Sequence, residues 1–427
     1  MLERKTPPAF GKIESVKLQE PVVSYLDNGI PVHAINAGAQ NVLKVELVFQ
    51  AGSASVNKVL VGSSAATLIT EGTANKTAAE IAEAVDFFGA YLQTHVTKEE
   101  TSIELYTLNT HLAHTLKTLA EVYNDPIYPE YELNTFVLNG KQEMMVNQQK
   151  VNYLATKALH VALFGKDHPF GRSASLEDYD KLTRADLLDY YNQFFKGNLS
   201  HIIVAGKVLD NTTALLNTHF GTTENTVKPL VDTKLNASKK NVTLFVEKEG
   251  AVQNAISIGR VLFDRSHPDF IGMQMLCTVL GGYFGSRLMS NIREDKGYTY
   301  GISAVTIGYL HTGYLSISTE VGADVCDAAL HEIYHEIEKL RTELIPEDEL
   351  ELVRNYMLGS ILTSVDGAFA LATKWKMYLK HGLTKADHEH LIKEIKTITA
   401  DKLLSLANTY LQKEDLIEVV AGKAASQ

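Results

Sequence analysis

Apolar and polar residues alternate through Leu43, Val45, Leu47 and Phe49, with Lys44 and Glu46 between them, before the pattern stops at Gln50-Ala51-Gly52. A period of two predicts sheet. From Thr77 the pattern changes. Thr-Ala-Ala-Glu is a capping-box signature, and Ile81, Ala84, Val85 and Phe88 then follow at helical spacing, so a helix is expected to end at Gly89. Strands are predicted over residues 91–95 and 101–108, separated by a charged turn at Lys98, Glu99 and Glu100. Leu112, Leu116 and Leu119 mark another helix, and long helical patterns cover 131–145, 152–164 and 183–195. A short strand over 201–207 closes this half.

The second half repeats the first. Ile203-Val-Ala-Gly-Lys207 recurs as Val419-Val-Ala-Gly-Lys423, Tyr128-Pro-Glu-Tyr-Glu-Leu133 as Ile345-Pro-Glu-Asp-Glu-Leu350, and Gly38-Ala-Gln-Asn41 as Gly250-Ala-Val-Gln-Asn254, all in the same order. The offsets, 216, 217 and 212 to 213, agree over the whole length. They imply a duplicated domain of about 210 residues, far longer than a solenoid repeat. Strands grouped with runs of consecutive helices favour an α+β class over strict βαβα alternation. The expected organisation is two homologous domains, 1–222 and 241–427, joined by a polar linker at 223–240 and facing each other across a cleft.

Composition narrows the function. With 45% hydrophobic and 21% charged residues the chain is ordinary globular material, and a formal charge of -11 without any Lys/Arg run excludes a nucleic-acid surface. An acidic field mildly favours basic peptides. Cys277 and Cys326 are too few for a disulfide framework or a structural zinc site. The N-terminal segment lacks a signal-peptide core and no run of 18 apolar residues occurs, so no transmembrane segment is expected. The expected location is the cytoplasm, or the periplasm if an upstream signal has been removed.

The most distinctive stretch is Leu280-Gly-Gly-Tyr-Phe-Gly-Ser-Arg-Leu288, continuing to Arg293-Glu-Asp-Lys-Gly-Tyr-Thr-Tyr300. Gly281, Gly282 and Gly285 let backbone approach backbone, and Leu288, Met289 and Ile292 form a short amphipathic turn before Arg293 and Tyr300. Gly281 and Gly282 are therefore candidate substrate-binding positions. A guanidinium can hold peptide carbonyls, and a neutral phenol can donate to a developing oxyanion.

This stretch resembles the C-terminal-domain signature of the pitrilysin/insulinase family of inverted-zincin metallopeptidases, which includes the mitochondrial processing peptidase. The duplication, the Pro-Glu-x-Glu-Leu helix start and His168-Pro-Phe-Gly171 are similar too. The resemblance implies that Arg293 and Tyr300, seven residues apart, reach into an active site. The family's zinc motif, His-x-x-Glu-His, lies on a helix just before Gly-Thr. Counted back from Gly72-Thr73, the matching positions are Ser63, Ser64, Ala65, Ala66 and Thr67, so Ser63 and Thr67 stand for the histidines and Ala66 for the general base. Glu143 falls where a third ligand is expected, but one carboxylate does not hold zinc against water.

A literal H-E-x-x-H occurs at His331-Glu-Ile-Tyr-His335. Leu330, Ile333, Ile337 and Leu340 form the apolar face of that helix, which leaves both histidines on a polar strip with Glu332, Glu336, Glu338 and Lys339. A solvated helix face is expected there. Surface or capping positions are likewise expected for His111, His114, His388 and His390.

The reading that results is a non-zinc subunit: a peptide-binding chain that supplies Arg293 and Tyr300, with no metal of its own and zinc carried by a homologous partner in a heterodimer, or else a homodimer. The alternative is a structural or peptide-binding scaffold of the same fold. A self-sufficient zincin through His331 and His335 stands third.

Overall fold

The computed structural model describes residues 13–228 and 241–424, so 229–240 of the expected linker lie outside the described residues. In the first half, β1 (Val22–Tyr25), β2 (Pro31–Asn36), β3 (Val42–Phe49), β4 (Tyr91–Val96), β5 (Thr101–Leu108) and β6 (His201–Gly206) form a sheet in the order β1-β2-β6-β3-β5-β4. In the second, β7 (Val242–Glu247), β8 (Gln253–Leu262), β9 (Thr299–Gly308), β10 (Gly313–Gly322) and β11 (Ile417–Gly422) follow the order β7-β11-β8-β10-β9. Without β1 the two orders are the same. Each sheet has one parallel pair, β2 with β6 and β7 with β11, and its other neighbours are antiparallel.

The helices repeat as well. The first half carries α1 (Val61–Thr67), α2 (Ala78–Asp86), α3 (Leu112–Asn124), α4 (Glu130–Asn147), α5 (Val151–Phe164), α6 (Leu176–Asp180), α7 (Arg184–Phe194) and α8 (Thr212–Phe220). The second carries α9 (Phe270–Cys277), α10 (Cys326–Thr342), α11 (Glu347–Thr363), α12 (Ala368–His381), α13 (Lys385–Thr397) and α14 (Ala400–Tyr410). Local sequence accounts for several starts. Thr77 accepts from the Glu80 amide while Glu80 reaches back to the Thr77 amide, closing the capping box of α2. The repeated Pro-Glu motifs place Pro129 and Pro346 just ahead of α4 and α11, with acidic residues in the first turn complementing the helix dipole.

Each half has its own apolar core, and a long helix from each crosses to the other sheet. Ala155, Leu159 and Leu163 of α5 pack with Ala255, Val419 and Ala421 of the second sheet. Leu371, Ala372 and Trp375 of α12 pack with Ile35, Val48, Ile203 and Ala205 of the first. Burial of both faces explains why these strands form the centre of the molecule.

That exchange gives the alternation in β3 an unexpected outcome. Lys44 and Glu46 would ordinarily face water, yet they are 3% and 0% exposed because α12 covers them. Lys44 Nζ lies 2.8 Å from Glu46 and 3.0 Å from Glu104, and Lys376 of α12 completes the cluster by pairing with Glu46. Burial alone would depress the Lys44 ammonium, but the two carboxylates outweigh it and raise its pKa. A neighbouring tie joins Lys380 of α12 to Glu99 at 2.9 Å, while Glu99 also accepts from the Leu310 amide.

His388 departs from the sequence expectation: it is buried. Its Nε2 donates to the Val16 carbonyl and its Nδ1 accepts from the Tyr378 hydroxyl, so the ring is a satisfied neutral core group, held below its usual pKa chiefly by burial.

Candidate functional site

Between the halves lies a cleft of about 1280 Å³, lined by the start of α5 (Asn152, Tyr153, Thr156), by β8 and by Tyr298 to Ser303 of β9 and its approach. A side pocket of about 380 Å³ shares Tyr153 and Thr156 with it and ends on Leu60 and Ser63 of the α1 region. Tyr300 and Ser63 thus stand at two ends of one continuous concavity. Both sheets present an edge strand nearby, β9 in the cleft and β4, through Val96, in the side pocket.

The second-half wall is heavily braced. The stretch 278–300 is not the open loop its glycines suggest: residues 278–282 extend α9 as a π-helical turn, and 289–295 form a second π-helical segment. Such wide turns recur at functional sites because they re-aim side chains out of the regular helical register. Gly281 is buried, and a Cβ there would lie 2.7 Å from the Ala304 amide, so it seats the turn against β9. Gly282 offers its carbonyl to the Tyr356 hydroxyl at 3.4 Å. Neither glycine lines the cleft.

Further along, Arg287 makes a two-pronged ion pair with Glu349 of α11, at 2.9 and 2.8 Å. The Asn291 amide donates to Glu332 and Glu336 of α10 at 2.9 and 2.7 Å, and Lys296 pairs with Glu332 at 3.3 Å. Gly297, at φ +66°, turns the chain into β9.

This bracing sets Arg293. Its Nε donates to the Tyr300 carbonyl at 3.0 Å, and its guanidinium lies 4.5 Å from the centre of the Phe284 ring and 5.8 Å from that of Tyr300. The Arg–Tyr spacing of the sequence is therefore a direct contact across the turn. Tyr300 is 94% exposed and Phe284 61%, values that large aromatic side chains reach only when nothing within the chain covers them. Phe284 is the member that sequence reasoning missed; the signal was a second aromatic inside the glycine-rich stretch, on the same presented surface.

The first-half wall is chemically quiet. On α1, Ser63 donates its hydroxyl to the Leu60 carbonyl, Ala66 is buried in the core and Thr67 is exposed. Glu143 sits exposed on α4, and no group of three or more metal-ligating side chains occurs among the described residues. The side pocket carries Lys98, Lys157, His160 and Arg172. Burial, and then repulsion from Arg172, holds Lys98 below its usual pKa. Whatever the net charge suggests about basic ligands, this end of the cleft is locally cationic.

The H-E-x-x-H of α10 is placed as its helical phase predicts. His331 and His335 are exposed, their rings parallel at 6.4 Å, and Ile333, Ile337 and Leu340 are buried. Glu336 is the exception on that strip: it is buried and bound by Asn291 and Lys339. Glu332 and Glu336 serve the Arg293 segment rather than a metal.

The chain is a duplicated α+β fold in which the exposed Tyr300 lines the cleft, the half-buried Arg293 packs against Tyr300 and Phe284 without lining it, and α1 carries no histidine. Residues 32–174 match the family described as insulinase (peptidase family M16), and residues 181–357 match the peptidase M16 inactive domain. The chain belongs to the M16, or pitrilysin/insulinase, family. An uncharacterised zinc protease of Bacillus subtilis, YmxG, is 23% identical over 82% of this chain and 85% of its own. A protein named "Probable mitochondrial-processing peptidase subunit beta" from Arabidopsis thaliana is 20% identical over 82% of this chain and 68% of its own. Among solved structures, a peptidase M16 inactive domain from Pseudomonas fluorescens superposes with a TM-score of 0.85 at 19% identity, covering 96% of this chain and 99% of that one. A protease from Helicobacter pylori gives 0.85 at 17%, covering 95% and 100%. No single helix among the described residues is long and apolar enough to cross a membrane.

Proposed function

We propose that this chain is the non-zinc subunit of an M16-type peptidase, binding peptide in its cleft and presenting Arg293 and Tyr300 to a zinc site on a homologous partner. The observation that carries this reading is an exposed Tyr300 in the cleft, with the half-buried Arg293 bonded to its carbonyl, together with an α1 helix that has neither histidine nor glutamate at the positions of the zinc motif. A scaffold has no need of such a pair. An arginine and a phenol held in advance of substrate can orient a peptide carbonyl and donate to the oxyanion that forms on it, with zinc and water supplied by the partner. The partner is a zinc-bearing relative in a heterodimer; the similarity to a processing-peptidase subunit supports this arrangement. On this reading the chain hydrolyses nothing alone.

Peptide binding and metal content test it together. The purified chain is expected to hold no stoichiometric zinc and to bind an unstructured peptide with an affinity that a chelator does not change and that Arg293→Ala weakens. One tightly held zinc, lost on His331→Ala, would replace this reading with a zincin on α10.

A further inference from the structure

A second concavity, of about 650 Å³, lies within the second half between α9, α11, α12 and α13, and it shares no lining residue with the cleft. Its chemistry is uneven. At one end stand Arg265, Lys374 and His381; the opposite wall is made by Ile271, Ile361, Leu391 and Ile395.

The cations are the anomaly. Arg265 Nε is buried without a hydrogen-bond partner among the described residues, and the guanidinium lies over the Phe270 ring at 5.2 Å. Lys374 lies over the Tyr378 ring at 5.2 Å and has no carboxylate within ion-pair distance among the described residues. Burial and then Arg265 depress Lys374, and burial, Arg265 and Lys380 bring His381 down to about 4. Of the nearby carboxylates, Asp387 lines the pocket itself, and both it and Asp264 hold local hydrogen bonds. Asp387 accepts from the Thr384 amide and hydroxyl at the start of α13, and Asp264 accepts from the amide and hydroxyl of Ser266. Arg265 and Lys374 are half-buried, and cations partly withdrawn from water without a counter-charge leave that desolvation uncompensated.

We propose that this pocket binds an organic carboxylate bearing an apolar group, its anion between Arg265 and Lys374 and its hydrocarbon against Ile271, Ile361 and Leu391. A planar carboxylate suits the guanidinium fork, and the apolar wall rewards a chain of several carbons. The same chemistry is offered by a free alkanoate and by the C-terminal residue of an apolar peptide. The Gly282 carbonyl and Tyr356 at its rim adjoin the Arg293 stretch, but the site does not depend on the cleft's function.

Calorimetric titration of the full chain with octanoate, with acetyl-leucyl-leucine, and with octanol and inorganic phosphate as controls tests this. One equivalent of octanoate or of the dipeptide is expected to bind, identifying the source, and Arg265→Gln or Lys374→Met should each weaken it about tenfold, the scale of a lost charge-assisted hydrogen bond. Binding by neither, equal binding of octanol or of phosphate, or full affinity in both variants would overturn the proposal. Thermal melting gives an independent reading. Without ligand, Lys374→Met should melt at the same temperature or higher because a repelling charge is gone; a clear drop would show that the lysine is structural and contradict the assignment.

Discussion

α1 in the first half and residues 270–300 in the second occupy equivalent places in one repeated plan, each following the central strand β3 or β8 and leading to the edge strand β4 or β9. They have diverged in opposite directions. α1 is a short regular helix on which Ser63 lines the side pocket and bonds to the Leu60 carbonyl, Ala66 is buried in the core and Thr67 is exposed. Its counterpart contains two π-helical turns tied to α10 and α11 by Arg287, Asn291 and Lys296, and it presents Arg293, Tyr300 and Phe284. The difference teaches that a fold held by its buried positions can lose the chemistry of one wall while the other keeps, and invests structure in, its own.

The exchanged helices show a second contrast. α5 meets the second sheet through alanine and leucine and two hydrogen bonds, Asn152 to Glu320 and His160 with the Tyr314 hydroxyl, whereas α12 adds ion pairs of Lys376 and Lys380 to its apolar contacts. The most damaging single change should therefore be Lys44→Ala, which leaves the buried Glu46 and Glu104 to share Lys376 as their one remaining cation in the cluster and is expected to cost about 3 kcal/mol in denaturant unfolding. A loss below about 1 kcal/mol would show that the cluster tolerates water and that the contrast is superficial. On the apolar side Leu159→Ala should cost about 2 to 4 kcal/mol through lost transfer energy and a cavity. Unlike the first change, its cost should be insensitive to salt and pH.

Acid should weaken both halves through the buried His201 and the half-buried His381. Burial, with His33 and Lys376 nearby, lowers His201 to about 3, and His381 falls to about 4. Both folded values lie below the ordinary 6.5, so the unfolded chain binds protons that the native one refuses, and stability is lost as pH falls from about 6.5 towards 4. Each histidine contributes a slope of at most about 1.4 kcal/mol per pH unit. Chemical unfolding measured across that window should flatten when His201→Gln is introduced; an unchanged slope would remove His201 from the account. The smallest effect is expected for Glu332→Gln on α10. It keeps a hydrogen-bond acceptor for Asn291 but loses the Lys296 pair, so peptide affinity should fall only a few-fold, within the scale of a surface ion pair.

Much of this was legible in the residues because it rests on local periodicity. The β3 alternation, the Thr77 capping box, the helices from Leu112 to Phe195 and the repeated Pro-Glu starts each appear near the expected positions. The apolar face Ile333–Ile337–Leu340 placed the H-E-x-x-H histidines in solvent. What was not legible depends on contacts between distant segments. The burial of Lys44 and Glu46 requires α12, more than 300 residues away in sequence, and His388 is buried by Val16 and Tyr378. The π-helical turns have no pattern of their own, since they arise where Gly281 must fit against Ala304. Phe284 became part of the site only once its contact with Arg293 was visible.

The most direct test mixes this chain with a homologue that carries His-x-x-Glu-His and follows cleavage of a quenched fluorescent peptide. Neither chain is expected to be fully active alone, the pair should be, and Tyr300→Phe in this chain should reduce turnover of the pair roughly tenfold or more, as for a lost transition-state donor. Full activity of the pair with both Arg293→Ala and Tyr300→Phe in place would contradict a catalytic contribution and leave a scaffold.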